Sequence, residues 1–175
     1  VYKRQDRAVL YIGNHRSYFD ILVTYTTVPG SCGFVAKKEL ARIPLLKNWM
    51  DLIHCLFLDR SDIKQGLQMI LAGCEEIKSG TSICIFPEGT RSRMGNQLLP
   101  FKGGTFKSAV RAKCPIVPCA LIDSYKPFDE KSIAPVTVKL IYLPPICYEE
   151  YKQMKTPEIA DLVKMRIEEA IRQYS

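Results

Sequence analysis

Histidine is scarce in this sequence, and the scarcity limits the metal chemistry that the chain could support. Only two histidines, His15 and His54, occur among the 175 residues. The seven cysteines are scattered, form no C-x-x-C pair and mostly stand among isoleucine, valine and leucine. Zinc sites and disulfide frameworks show paired spacings. We therefore predict no metal site, and we interpret the cysteines as small core residues of a protein from a reducing compartment.

The sequence also lacks the signatures of several common protein classes. It contains no apolar run near the ~18 residues that span a bilayer, no signal peptide and no internal repeat. The G-x-S-x-G elbow of common serine hydrolases is missing as well. The first residue is Val1 and a strand-like segment starts within ten residues. We expect residues 1–175 to form a single domain that lacks a native N-terminal membrane-associating segment.

Acidic residues are missing from one long stretch, Gly89–Ile122. The whole chain has a net charge of +7, so its positive charge is unevenly distributed. The stretch contains six basic residues: Arg91, Arg93, Lys102, Lys107, Arg111 and Lys113. Such a surplus suits an anionic partner, namely a phosphate group, a phospholipid surface or a nucleic acid. Only two aromatic residues accompany it and no nucleic-acid reader motif occurs, so we expect no nucleic-acid partner.

Short apolar segments alternate with amphipathic ones along the chain. The predicted strands are Ala8–Ile12, Gly33–Ala36, Leu56–Leu58, Ser82–Phe86, Ile116–Leu121 and, at a sheet edge, Val136–Leu143. The predicted helices are Ser17–Val28, Lys38–Asp51 with a break near Pro44, Asp62–Lys78, Thr105–Ala112 and Glu158–Gln173. Strands that are apolar throughout and separated by helices predict an α/β fold. Its central sheet should be mostly parallel or mixed, with helices covering both faces.

His15 and Asp20 follow the first predicted strand. Five residues of one helix would rotate them about 140° apart, so they cannot share a helix face. If Ser17 is the N-cap, however, Asp20 occupies the third helical position and can fold back toward His15 in the preceding turn. This arrangement would orient the imidazole as a general base. The alternative is that Asp20 only caps the helix and His15 is a surface turn residue.

The segment Phe86–Arg93 follows the strand Ser82–Phe86 and carries several groups suited to phosphate. Gly89 allows close backbone approach, Thr90 offers a hydroxyl, and Arg91 offers a planar fork that matches phosphate oxygens. Glu88 could hold the loop in place or orient Arg91. An ordinary turn with exposed charges is the alternative, and the density of these groups at a strand end favours a functional loop.

Two further cations also stand near predicted element ends. Arg60 follows the strand-like segment Leu56–Leu58 and would by itself be a surface arginine. Lys102 precedes two glycines and a predicted helix, which makes it part of either an anion-binding helix start or a flexible loop.

Taken together, these segments resemble the 1-acylglycerol-3-phosphate acyltransferase family of the glycerolipid acyltransferase superfamily. The ordered motif blocks are Asn14-His15 with Asp20, Phe57-Leu58-Asp59-Arg60, Phe86–Ser92 and Ile116-Val117-Pro118, supported by Lys37–Leu40 with Pro44. The likeness runs from about Val9 to Leu121. One departure is His54, which stands where the second block often carries glycine, and which could narrow the acceptor pocket near Arg60 or simply lie exposed.

The resemblance implies a glycerol-3-phosphate acyltransferase-like fold and assigns roles to individual residues. His15 and Asp20 would be the catalytic pair, and Pro118 would help to shape the site. The implied substrate-binding residues are Arg60, Glu88, Gly89, Thr90 and Arg91, to which we add Lys102.

By the same resemblance, the reaction transfers a fatty acyl group to the free hydroxyl of lysophosphatidic acid and yields phosphatidic acid. The donor would be a thioester on coenzyme A or acyl carrier protein, with no bound cofactor. We expect an anionic membrane surface as a partner and a location on the cytoplasmic face of the membrane. Glycerol 3-phosphate or another lysophospholipid is an alternative acceptor, and an anionic-membrane-binding protein is the alternative outside the enzymes.

Overall fold

The structure, a computed structural model, describes residues 7–58, 63–129 and 135–175. Its strands are β1 (Leu10–Gly13), β2 (Cys32–Lys37), β3 (Leu56–Leu58), β4 (Ser82–Ile85), β5 (Ile116–Ile122) and β6 (Lys139–Tyr142). Its α-helices are α1 (Phe19–Thr27), α2 (Pro44–Leu52), α3 (Ile63–Lys78), α4 (Lys107–Ala112), α5 (Lys126–Asp129), α6 (Tyr148–Tyr151) and α7 (Thr156–Tyr174). Two 3₁₀ turns cover Lys38–Arg42 and Gly103–Phe106.

The strands form one sheet in the order β3-β2-β4-β1-β5-β6. Neighbouring strands are parallel except β6, which lies antiparallel to β5 at the edge. The predictions of a mostly parallel or mixed sheet and of a late edge strand are therefore confirmed. Because β1 lies between β4 and β5, with Ile12 opposite both Ile85 and Pro118, the segments that follow β1 and β4 emerge side by side.

Side chains alternate across the sheet and divide the core into two layers. Leu10 and Ile12 of β1 point into the layer that includes α3, α4 and α7, whereas Val9 and Tyr11 point into the layer that includes α2. The second layer also contains Ile21 of α1. The buried face of α7 consists of Ile159, Ala160, Val163, Ile167, Ala170 and Ile171. Helices thus cover both faces of the sheet, as predicted.

The bounds of some elements differ from the predicted ones. The last strand shortens from Val136–Leu143 to Lys139–Tyr142, the four residues of its ladder with β5, and the Leu143 N–H still donates to the Pro118 carbonyl at 2.9 Å. The predicted helix Thr105–Ala112 begins as a 3₁₀ turn at Gly103, and only Lys107–Ala112 is α-helical. Among the helices of the described residues, none has the length and apolar character needed to cross a bilayer.

His54 occupies the turn between α2 and β3 in a left-handed conformation, with a φ of 58°. Its side chain is 45% exposed and its Nδ1 lies 3.1 Å from Glu76 Oε2. Glycine adopts this conformation without steric cost, which gives a physical reason for the glycine that the resembled family often carries at this position. The carbonyl oxygen of His54 also lies against Gly33 of β2, since a Cβ added there would stand 2.1 Å from it.

Two glycine substitutions test this packing. Gly33→Ala should lower the free energy of unfolding by at least about 2 kcal/mol, because backbone must move to admit the methyl group. Gly66→Ala on α3 is the matched control, since a Cβ there meets nothing within 4 Å. It should stabilise the protein by about 0.5–1 kcal/mol through helix propensity. Urea unfolding measures both, and equal effects would contradict the proposed close approach of β2 and the His54 turn.

Candidate active site

The segments after β1 and β4 are joined through the main chain of His15. The His15 N–H donates to Glu88 Oε1 at 2.8 Å, and the His15 carbonyl accepts from the Ser92 N–H at 2.9 Å. Both bonds link the histidine to the Phe86–Ser92 loop. The parallel order β4-β1 explains this contact, since the two segments leave the same edge of the sheet.

Asp20 holds the imidazole of His15 from the first turn of α1. Its Oδ2 lies 2.8 Å from His15 Nδ1 and also accepts the N–H groups of Arg16 at 2.6 Å and Ser17 at 2.9 Å. A carboxylate oxygen surrounded by donors requires the proton on Nδ1, so in the neutral imidazole Nε2 is the acceptor. The predicted contact between the aspartate and the ring is confirmed, and the side-chain exposures are 15% for His15 and 0% for Asp20.

The predicted N-cap is wrong by one residue. Tyr18, not Ser17, is the N-cap, and α1 begins at Phe19. Ser17 Oγ accepts the Phe19 N–H at 3.3 Å, while Asp20 Oδ2 takes the Ser17 N–H as a capping-box acid would. The carboxylate therefore serves both the helix start and the histidine, so the two roles considered for Asp20 are combined in one group.

Phe86 covers one face of the imidazole. The two ring centroids are 4.4 Å apart and the ring planes differ by 15°. Gly13 gives Phe86 its space, because a Cβ at that position would stand 3.0 Å from Phe86 Cε1. One ring face is thus packed and one ring nitrogen is bonded, so the orientation of Nε2 is fixed by the protein.

Glu88 is buried and its carboxylate is bonded to main-chain donors from two segments. Oε1 accepts from His15, and Oε2 accepts from the Leu99 N–H at 2.9 Å. Burial raises the pKa of Glu88, while these two N–H groups and the charge of Arg16 oppose the rise. Of the two roles expected for Glu88, holding the loop in place is the one that these bonds favour. Direct substrate contact by Glu88 stays a prediction.

The Gly89–Arg91 segment is shaped by a left-handed turn and an adjacent lysine. Gly89 has a φ of 74°, and a Cβ there would lie 2.8 Å from Lys102 Nζ. The Lys102 main chain joins the same loop, because its N–H donates to the Pro87 carbonyl at 3.1 Å. Thr90 is exposed, and the Arg91 guanidinium lies over the Tyr18 ring, 4.0 Å from its centroid. A 3₁₀ turn, Gly103–Phe106, follows Lys102 directly.

The structure brings together most of the predicted residues at one sheet edge. His15, Asp20, Glu88, Gly89 and Arg91 are linked by the contacts above, and Lys102 and Thr90 belong to the same loop region. Arg60 and the neighbouring Asp59 of the second motif block lie outside the described residues. Pro118, the last residue of the fourth block, pairs with Ile12 in the sheet.

Three residues gained a role that the sequence did not reveal. The Asn14 side chain exchanges two hydrogen bonds with the Leu121 main chain, at 2.8 and 2.7 Å, which extends the pairing of β1 with β5. The Arg16 side chain is buried, and its guanidinium nitrogens have no hydrogen-bond partner among the described residues. Tyr18 contacts Arg91. Sequence reasoning missed them because asparagine, arginine and tyrosine in a polar turn are usually solvated.

Burial lowers the pKa of Arg16, while the charges of Glu88 and Asp20 oppose that shift. A buried cation is costly unless opposite charges lie near it. Arg16 therefore supplies positive charge to the two carboxylates that hold His15, without a direct hydrogen bond from its guanidinium.

Comparison with known proteins finds a matching family and named relatives. A model of the acyltransferase family matches residues 2–122. The chain is 35% identical over 162 residues to a 1-acyl-sn-glycerol-3-phosphate acyltransferase of Limnanthes douglasii, covering 91% of this chain and 56% of the relative. It is 32% identical over 163 residues to a 1-acyl-sn-glycerol-3-phosphate acyltransferase of Salmonella typhimurium, covering 93% and 66%.

A solved structure shares the fold. The crystal structure of the 1-acyl-sn-glycerophosphate (LPA) acyltransferase PlsC from Thermotoga maritima aligns with a TM-score of 0.78 and 26% identity, covering 98% of this chain and 70% of that one. The chain thus spans between about half and two thirds of these two curated relatives and seven tenths of the crystallised chain. The predicted glycerol-3-phosphate acyltransferase-like fold is confirmed. With its motifs, fold and relatives in agreement, the chain belongs to the acyltransferase family, in the group that contains the 1-acyl-sn-glycerol-3-phosphate acyltransferases.

Proposed function

We propose that this protein transfers a fatty acyl group from a thioester to the free hydroxyl of 1-acylglycerol 3-phosphate and so forms phosphatidic acid. The observation that carries the proposal is the contact between His15 Nδ1 and the buried Asp20 carboxylate, which leaves Nε2 free to accept a proton. The loop that bears Arg91 lies at the same sheet edge. A base and a phosphate-binding cation side by side suit an acceptor that carries both a hydroxyl and a phosphate.

The chemistry needs one base and no covalent enzyme intermediate. His15 Nε2 takes the proton of the acceptor hydroxyl as the oxygen attacks the thioester carbon. The carbon–sulfur bond then breaks, and the imidazolium returns the proton to the departing thiolate, giving an ester and a free thiol. Asp20 stabilises the imidazolium while it exists, because its charge lies 2.8 Å from Nδ1.

Arg91 and Lys102 are the cations proposed to bind the acceptor phosphate, together with Gly89, Thr90 and Arg60. A guanidinium forms paired hydrogen bonds with phosphate oxygens, and an ammonium adds a point charge. Binding the phosphate at a fixed place positions the hydroxyl for attack, so binding energy is used for orientation.

The acyl donor is proposed to be acyl-CoA or acyl carrier protein, both of which present a thioester. The test of the whole proposal offers each donor with three acceptors in parallel: lysophosphatidic acid, glycerol 3-phosphate and another lysophospholipid. We expect phosphatidic acid, identified by mass spectrometry, as the main product. Faster acylation of either other acceptor would replace the proposed substrate, and binding to lipid without any transfer would support the non-enzymatic alternative.

Within that assay, His15→Ala should lower kcat by about 10²–10⁴-fold, which is the usual contribution of general-base catalysis. Asp20→Asn should also lower kcat, since it removes the charge that stabilises the imidazolium. His54→Gly is the matched control, because this substitution removes the other histidine and because the left-handed backbone of residue 54 suits glycine. Near-normal turnover by purified His15→Ala would refute the base assignment.

Arg91→Ala should mainly raise the KM for lysophosphatidic acid, because it removes a binding contact distant from the reacting atoms. Arg93→Ala serves as the control, since it deletes an equal charge two residues away from an exposed position. Steady-state kinetics with the acceptor varied at saturating donor separates the two variants. An acceptor KM that stays the same in Arg91→Ala would rule out its phosphate role.

We propose in addition that the protein acts at the cytoplasmic face of an anionic membrane. Its support is a group of large exposed side chains on α1 and α2, which are Leu22, Tyr25, Leu45, Trp49 and Leu52. The rings of Tyr25 and Trp49 lie 5.9 Å apart, so exposed apolar residues of the two helices meet at this pair. Basic residues Lys37 and Arg42 adjoin it in sequence. Buried free thiols such as Cys84 fit the reducing cytoplasm.

Vesicle sedimentation tests this location. Binding should be stronger to anionic than to zwitterionic vesicles and should weaken with salt. Leu45→Gln with Leu52→Gln should reduce it, because these side chains are 85% and 78% exposed on α2. Met165→Gln on α7, 53% exposed on the opposite side of the sheet, is the control. Equal binding by the α2 variant and the control would contradict the proposal.

A further inference from the structure

The Arg91 guanidinium and the Tyr18 ring form a cation–π pair close to the active site. The guanidinium carbon lies 4.0 Å from the ring centroid, well within the range of about 6 Å for this interaction. Tyr18 is 61% exposed, so its ring contributes little to the core. Core packing therefore does not explain why this large aromatic ring lies at the surface against a cation.

Both members of the pair are fixed to the catalytic dyad through the main chain. Tyr18 is the N-cap of α1, two residues before Asp20, and its carbonyl accepts the Ile21 N–H at 3.3 Å. Arg91 precedes Ser92, whose N–H donates to the His15 carbonyl. The pair therefore connects the start of α1 with the loop after β4. These are the same two segments whose hydrogen bonds position His15.

The guanidinium carbon of Arg91 lies over the face of the Tyr18 ring, a position that is compatible with N–H donors that remain available to a ligand. A guanidinium is planar and its five N–H bonds lie in that plane, whereas the interaction with an aromatic ring uses the face. The ring can thus restrict the long arginine side chain while the N–H groups in the guanidinium plane stay free to bind an anion. Restricting the side chain before the substrate arrives lowers the entropy lost on binding.

We propose that Tyr18 is a positioning residue for the acceptor phosphate: its ring holds the Arg91 guanidinium in the orientation that binds the phosphate of the lysophospholipid. This inference rests on the proposed function and goes beyond it, because it assigns a role to the aromatic face of Tyr18. The role requires the ring and does not require the phenol hydroxyl.

Two substitutions at position 18 separate the ring from the hydroxyl. Tyr18→Leu keeps apolar bulk and removes the ring, and it should raise the KM for lysophosphatidic acid about two- to fivefold, the effect of an exposed cation–π pair of about 0.5–1 kcal/mol. Its kcat and its KM for the acyl donor should stay within error of the wild type. Tyr18→Phe keeps the ring and should have the same acceptor KM as the wild type.

A double-mutant cycle with Arg91→Ala tests whether the two residues act together. In the Arg91→Ala background, Tyr18→Leu should have no further effect on the acceptor KM, because the cation is already gone. An equal rise in both backgrounds would overturn the inference, and so would equal effects of Tyr18→Leu and Tyr18→Phe. A loss of kcat with Tyr18→Leu would indicate a disturbed α1 start and would also overturn it.

The cycle distinguishes failure of this inference from failure of the proposed function. If Arg91→Ala raises the acceptor KM while Tyr18→Leu does not, only the role of Tyr18 is wrong. If Arg91→Ala itself leaves the acceptor KM unchanged, the phosphate-binding role of Arg91 is wrong, and the role of Tyr18 is wrong with it.

Discussion

The buried carboxylate of Asp20 is the group on which the rest of the site depends. One of its oxygens accepts three N–H groups, from the His15 ring and from the main chains of Arg16 and Ser17. Removing an ionised carboxylate from water costs several kcal/mol unless hydrogen bonds and opposite charge compensate. The turn from Asn14 to Ser17 therefore has to wrap around this oxygen, and that wrapping places His15 just ahead of α1.

The sheet supplies the second constraint, because it brings two distant segments to the same point. Residues 15 and 88 are 73 positions apart, yet the Glu88 carboxylate accepts the His15 N–H at 2.8 Å. Asn14 makes a similar connection to β5 through Leu121. The histidine main chain is thus bonded on one side to the loop after β4 and anchored next to β5 on the other. A histidine held in this way is preorganised for the role of base that we propose for it.

Charge balance within the site follows from these contacts. Two carboxylates, Asp20 and Glu88, are buried near His15, and Arg16 is the buried cation beside them. Burial raises the pKa of Glu88 and lowers that of Arg16, and each charge opposes the shift of the other. The half-buried Arg91 is placed differently, since its guanidinium lies against the exposed Tyr18 ring. The inner charges hold His15, and the outer ones are those proposed to bind the substrate phosphate.

The sequence by itself determined the layer architecture and the location of the chemistry. Apolar segments such as Ser82–Phe86 and Ile116–Leu121 predicted buried parallel strands, and polar motifs directly after strands predicted a site at the carboxyl edge. The pairing of His15 with Asp20 was also predictable, since a helix start within five residues allows only a few geometries. These features depend on periodicity and short-range sterics, which a sequence displays directly.

Only the tertiary structure decided which side chains hold the base and which face outward. Glu88 and Arg91 are three residues apart in one polar loop, but Glu88 is buried against His15 and the Arg91 guanidinium lies over the Tyr18 ring. The burial of Arg16 and the pairing of Asn14 with Leu121 likewise depend on neighbours 70 to 110 positions away. Sequence composition gives no measure of such contacts, because the strand order β4-β1-β5 that creates them is fixed by the packing of the whole sheet.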